Sequence, residues 1–157
     1  MTAKTVLVQQ ELSLSVGVGI LRGRIDRVDK QPDGSLHIID YKTGNKAGEI
    51  DWEQLELHAL ILSKRLTWPV SKISYLYLGN STMKSTAISV DDLRQVHWRV
   101  LTTANKIRQE KEFHPSPSPW CGNCDFISIC PGKPESDPVT TAFDQLEFWD
   151  DSKDDRG

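Results

Sequence analysis

An α/β fold is what the hydrophobic pattern of this chain predicts, on three observations. Residues 4–42 read as strands punctuated by turns, two later segments carry apolar residues at helical spacing, and a short cysteine loop follows the second of these.

The run 4–16, KTVLVQQELSLSV, is rich in β-branched residues and partly alternates apolar with polar, so it is expected to be a strand. Gly17 and Gly19 punctuate it, and a second strand is expected over 20–28. Gln31-Pro32-Asp33-Gly34-Ser35 has the composition of a turn, and a third strand over 36–42 ends at Thr43-Gly44. These three strands form an antiparallel meander. From 49 to 66 the period changes: Trp52, Leu55, Ala59, Leu62 and Leu66 lie on one helical face, and Pro69 stops the helix. A strand over 73–78 turns at Gly79-Asn80 and pairs with 86–88. Ser89 and Asp92 are spaced as a capping box for a helix over 90–112, whose stripe is Leu93, Val96, Val100, Ala104 and Ile107. The prolines of 114–119 require an extended connection into the cysteine loop. The expected organisation is a core over 1–113, a cysteine loop over 114–134 and an acidic, flexible tail over 135–157.

With 157 residues, 38% of them hydrophobic, the chain suits one globular domain. No stretch approaches the ~20 apolar residues that a membrane helix needs, and the N-terminus has no secretory pattern. A soluble, cytoplasmic protein without membrane contact is therefore expected. The net charge is −3, but residues 144–157 alone carry −4, leaving the rest close to neutral. Charge does not select for or against a nucleic-acid partner, because carboxylates gathered around a metal would mask a basic groove.

Chemistry concentrates in the second and third strands. Asp40 and Lys42 are two apart and share a face, whereas Tyr41 points away. If the hairpin turns about Asp33, Asp26 falls opposite Asp40 and both carboxylates meet one ammonium. Two carboxylates on neighbouring strands suit Mg²⁺ or Mn²⁺. Such an ion activates water and neutralises charge on a phosphate, while a lysine can stabilise the charge that develops. The competing reading is an ordinary solvated cross-strand network.

Gly23-Arg24-Ile25-Asp26-Arg27-Val28-Asp29 followed by Ile38-Ile39-Asp40-Tyr41-Lys42-Thr43-Gly44 resembles motifs II and III of RecB-like nucleases in the PD-(D/E)XK superfamily. The resemblance covers roughly residues 5–133. It implies a restriction-endonuclease-like mixed sheet flanked by helices. Asp26, Asp40 and the backbone carbonyl of Tyr41 would bind metal, and Lys42 would be catalytic. These nucleases carry Q-x-x-x-Y on the next helix; this chain has Gln54-Leu55-Glu56-Leu57-His58. Gln54 is thus implied in catalysis, and Arg27 and His58 are the candidates for contacting DNA. The implied activity is Mg²⁺- or Mn²⁺-dependent cleavage of DNA, as an exonuclease on single strands or ends, in repair or recombination. The family's N-terminal helix with its motif I residue has no counterpart here. A truncated product, an excised fragment, or a partner chain or self-association supplying that part is the expectation. The competing functions are a catalytically inactive nuclease-fold remnant that binds DNA or protein, and a zinc-binding interaction module.

Cys121, Cys124 and Cys130 are the chain's three cysteines, spaced C-x₂-C-x₅-C. An odd number so close together suits a metal site better than a disulfide framework. The resemblance implies three ligands of a 4Fe-4S cluster with the fourth elsewhere. Zn²⁺ with His114 as fourth ligand is the alternative, and a metal-free loop the remaining one. In the tail, Gln145, Leu146, Phe148 and Trp149 resemble peptides that dock on the bacterial sliding clamp; packing back on the domain is the simpler alternative.

Overall fold

The computed structural model describes residues 2–44 and 50–132, and the chain divides into two compact units, Met1–Glu110 and Lys111–Gly157. In the first unit, β1 (Lys4–Ser15), β2 (Ile20–Lys30) and β3 (Leu36–Lys42) form the expected antiparallel meander. α1 (Glu53–Arg65) then crosses over to β4 (Val70–Tyr77), which lies parallel to β3. β5 (Thr82–Ala87) returns antiparallel, and α2 (Val90–Gln109) closes the unit. The sheet is mixed, in the order β1-β2-β3-β4-β5.

Why β3 is central follows from its composition. Leu36, His37, Ile38, Ile39 and Asp40 are all buried, so the strand is covered on both faces and by neighbours on both edges. Ile25, Val28, Leu36, Ile38 and Ile73 of the sheet meet Leu55, Ala59, Leu60 and Leu62 of α1 in one core. Each such large side chain contributes about 1.5–3 kcal/mol by leaving water. α2 packs along α1 and buries Leu93 and Val96. Its N-terminus has the expected capping box, with Ser89 Oγ accepting from Asp92 N and Asp92 accepting from Ser89 N. The β2–β3 turn uses Gly34 at φ 86°, a conformation glycine adopts without cost.

Several boundaries differ from the sequence pattern, among them β4, which begins at Val70 rather than 73. α1 begins at Glu53 rather than 49, because Asp51 Oδ1 accepts from Glu53 N and Trp52 sits at the cap. β5 is longer than 86–88: Thr82, Lys84 and Ser85 belong to an edge strand whose polar residues carry no apolar alternation. α2 ends at Gln109 rather than 112.

In the second unit, Pro119–Asn123 and Ile127–Ile129 form short 3₁₀ turns, the first capped by Ser118. The tail expected over 135–157 and its clamp-like peptide lie outside the described residues.

Candidate active site

The β2–β3 ladder pairs Arg27 with Ile39, Val28 with Ile38, Asp29 with His37 and Lys30 with Leu36. Continued one position, this register sets Asp26 opposite Asp40, as the turn about Asp33 requires. Just there the strands leave regular geometry. Ile25 and Val28 are both fully buried, so simple alternation breaks between them. In β1, the position facing Asp26 is Gln9, whose φ of 46° is left-handed for a non-glycine residue, and no pairing is formed at that step. The kink turns the Asp26 carboxylate toward β3, where Oδ2 accepts from Tyr41 N at 3.0 Å.

Asp40, only 4% exposed, is the centre of the group. Its Oδ2 lies 2.7 Å from Lys42 Nζ, and its Oδ1 lies 3.4 Å from Gln54 Nε2. Lys42 Nζ donates to Gln54 Oε1 at 2.9 Å. The ammonium is close to Asp40 Oδ2 but off the line of a hydrogen bond, so that buried oxygen has no hydrogen-bond donor. The ammonium compensates the buried charge, and the oxygen's lone pairs stay open to a further cation. A hard divalent cation fits: Asp26 and Asp40 are oxygen donors on adjacent strands, and the Tyr41 carbonyl belongs to the same segment. Among the described residues, no group of three or more His, Cys, Asp or Glu side chains is arranged to hold a metal. Two carboxylates would therefore need backbone and solvent or phosphate oxygens to complete a shell.

Gln54 and His58, one helical turn apart on α1, both face β2 and β3. The two differ in access. His58 is 6% exposed, and its ring lies against Gly23, where an added Cβ would stand 2.8 Å from Cδ2 and 3.0 Å from Nε2. Its Nδ1 has no hydrogen-bond partner. Burial pushes the His58 pKa down, against the pull of the Asp40 and Asp26 carboxylates. Arg27 is engaged with Asp29, donating from Nε at 2.8 Å and Nη2 at 2.7 Å, and its Nη1 reaches Tyr41 Oη at 3.4 Å. Its pKa is raised by these partners, so the pair stays ionised.

Two residues at the site carry no signal in the motifs. Tyr75 is the direct parallel neighbour of Asp40, and its ring lies 4.9 Å from Lys42 Nζ. Trp52 stacks on Tyr75 with centroids 5.4 Å apart. Only the β3–β4 register could have pointed to them. In the second unit, Cys121 Sγ accepts from Ser118 N at 3.2 Å, and His114 Nε2 lies 3.0 Å from Glu112 Oε2. The three thiols are free and not gathered into a cage.

A five-stranded mixed sheet with helices flanking it, and with acidic and basic side chains at the end of its central strand, is of the restriction-endonuclease-like α/β class. The family model of the PD-(D/E)XK nuclease superfamily matches residues 2–131, and the chain belongs to that superfamily. The crystal structure of SSO0001 is similar at a TM-score of 0.46 and 18% identity, covering 82% of this chain. This chain spans 61% of that one. No curated protein matches. Among the described residues, no helix is long and apolar enough to cross a membrane.

Proposed function

We propose that the chain is a Mg²⁺- or Mn²⁺-dependent deoxyribonuclease of RecB-like type, acting on single strands or ends in repair or recombination. The observation that carries the reading is the contact of Asp40 with Lys42 and Gln54, with Asp26 held against the Tyr41 backbone of the same strand. Asp26, Asp40 and the Tyr41 carbonyl would hold the ion. Bound there, it would supply Lewis acidity toward a phosphate and lower the pKa of water. Lys42 places positive charge beside Asp40, where it can stabilise charge developing on a phosphate oxygen. Gln54 bridges the two, donating toward Asp40 and accepting from Lys42, and so fixes the lysine's direction. His58 braces α1 against Gly23 and, at 6% exposed, offers little surface to a DNA strand.

The test is cleavage of labelled single-stranded DNA with Mn²⁺ by the wild-type chain beside Asp40→Ala. Loss of cleavage in a folded variant is expected, by at least about 10³-fold, because a ligand and the lysine's partner vanish together. Cleavage at the wild-type rate would remove the assignment. If the wild-type chain binds DNA without cutting it, the non-catalytic reading takes its place.

The spacing of Cys121, Cys124 and Cys130 supports an iron–sulfur site with an external fourth ligand. Brown protein after anaerobic purification, bleached in a Cys124→Ser variant, is the expected result; a colourless protein carrying zinc would replace iron with the Cys₃His alternative. An apolar cleft of about 480 Å³, lined by Val16, Val18, Ile20, Leu57, Val100 and Ile107, supports self-association or a partner chain.

A further inference from the structure

We propose that Tyr75, backed by Trp52, is the positioning residue for Lys42. The lysine's stem is flexible, and its ammonium can sample many directions unless it is held. Three groups surround it: Asp40 at 2.7 Å, Gln54 at 2.9 Å and the face of Tyr75 at 4.9 Å. The first two are polar contacts that substrate or a cation would compete for. The ring is not, so it can hold the ammonium through the reaction by cation–π attraction.

The ring itself is fixed from three sides. Its backbone is the parallel neighbour of Asp40, so carboxylate and ring move as one unit of the sheet. Tyr75 is 4% exposed, and Trp52 stacks on it at an interplanar angle of 18°. Trp52 is the N-cap of α1, two residues before Gln54. The stack therefore pins the start of α1 to β4 and sets Gln54 against Lys42 and Asp40. One aromatic pair thus couples the strand that carries the acid and the lysine to the helix that carries the glutamine. Tyr75 needs its ring for this and not its hydroxyl.

This inference rests on the nuclease reading for Lys42's role in cleavage, but not for the contact itself, and the experiment separates them. Lysine side-chain methylenes are labelled with ¹³C in the full chain, with Lys42→Ala assigning the resonance. Mn²⁺-dependent turnover is measured on the same proteins. Wild type and Tyr75→Phe should show the Lys42 methylenes shifted upfield by the ring, and Tyr75→Phe should keep kcat. Tyr75→Leu should lose the shift, and kcat should fall roughly tenfold to a hundredfold with KM little changed, as expected for a misplaced group. Trp52→Leu, at a half-buried position, should move both readouts the same way and covers the case in which Tyr75→Leu fails to fold. Lys42 methylenes at unshifted positions in wild type would overturn the inference whatever the activity. So would full kcat in a folded Tyr75→Leu or Trp52→Leu. A wild-type chain that turns nothing over defeats the nuclease reading instead, and the shifts still decide whether Tyr75 holds Lys42.

Discussion

At the scale of single residues, the site depends on how a buried charge is compensated. Asp40 is almost wholly removed from water, yet its carboxylate meets one amide and an ammonium that is near but not aligned. Gln54 differs in kind: it is neutral, and its two ends match the donor and acceptor on either side. Removing it leaves both charges in place with a freer lysine. Gln54→Ala should therefore reduce kcat by roughly tenfold to a hundredfold while leaving Mn²⁺ affinity close to wild type. Titration of Mn²⁺ binding beside steady-state kinetics reads both. An effect on Mn²⁺ affinity as large as that of Asp40→Ala would make Gln54 a ligand rather than a guide.

At the scale of elements, α1 lies on the sheet through a gap left by a missing side chain. Gly23 in β2 admits the His58 ring, and a Cβ there would also stand 3.2 Å from Ile61 Cδ1. Glycine inside a strand costs about 0.5–1 kcal/mol relative to alanine, so replacement would help if space allowed. Overpacking a filled interface costs about 1–3 kcal/mol, and a buried ring has nowhere to retreat. Gly23→Ala should be destabilising in urea denaturation and should weaken cleavage by tilting α1; a more stable variant would mean that His58 is freely displaced. Sequence made the meander and the candidate site on it legible because Ile38-Ile39 leads into Asp40 and the turn about Asp33 sets the register. The same pattern missed most of β5, whose exposed edge is polar, and it placed the start of α1 four residues early. Neither the Gln9 kink nor the pairing of Asp40 with Tyr75 could be read. Both depend on partners far along the chain, and apolar periodicity describes one element at a time.

At the scale of the whole first unit, α1 covers one face of the sheet with α2 packed along it, and a polar row crosses the other face. Alternation places Asp29, His37 and Ser74 on the face turned away from α1. Thr5 Oγ1 donates to Asp29 Oδ1 at 2.8 Å, His37 Nε2 meets Ser74 Oγ at 2.5 Å, and Ser74 Oγ meets Ser85 Oγ at 2.7 Å, so the row runs from β1 to β5. Ser74 is fully buried and His37 is 6% exposed. Burial holds the His37 pKa below its ordinary 6.5, assisted by the Lys72 ammonium and opposed by Asp29. Such a group is neutral when folded but takes up a proton when the chain unfolds. Its contribution to stability is therefore complete above pH about 6.5 and is lost as pH falls toward the lower folded value. His58 shifts in the same direction, so both add to the slope. Asp29 acts further down. Burial raises its pKa, but the Arg27 and Thr5 hydrogen bonds outweigh this and leave it below the ordinary 3.8, so its stabilisation is lost only in stronger acid. Urea denaturation of wild type at several pH values between about 7.5 and 5 should show stability declining as pH falls. His37→Gln, which can still hydrogen-bond Ser74 but cannot take up the proton, should flatten that decline without removing it, because His58 remains. An equal slope in the two proteins would mean that His37 titrates alike in the folded and unfolded chain.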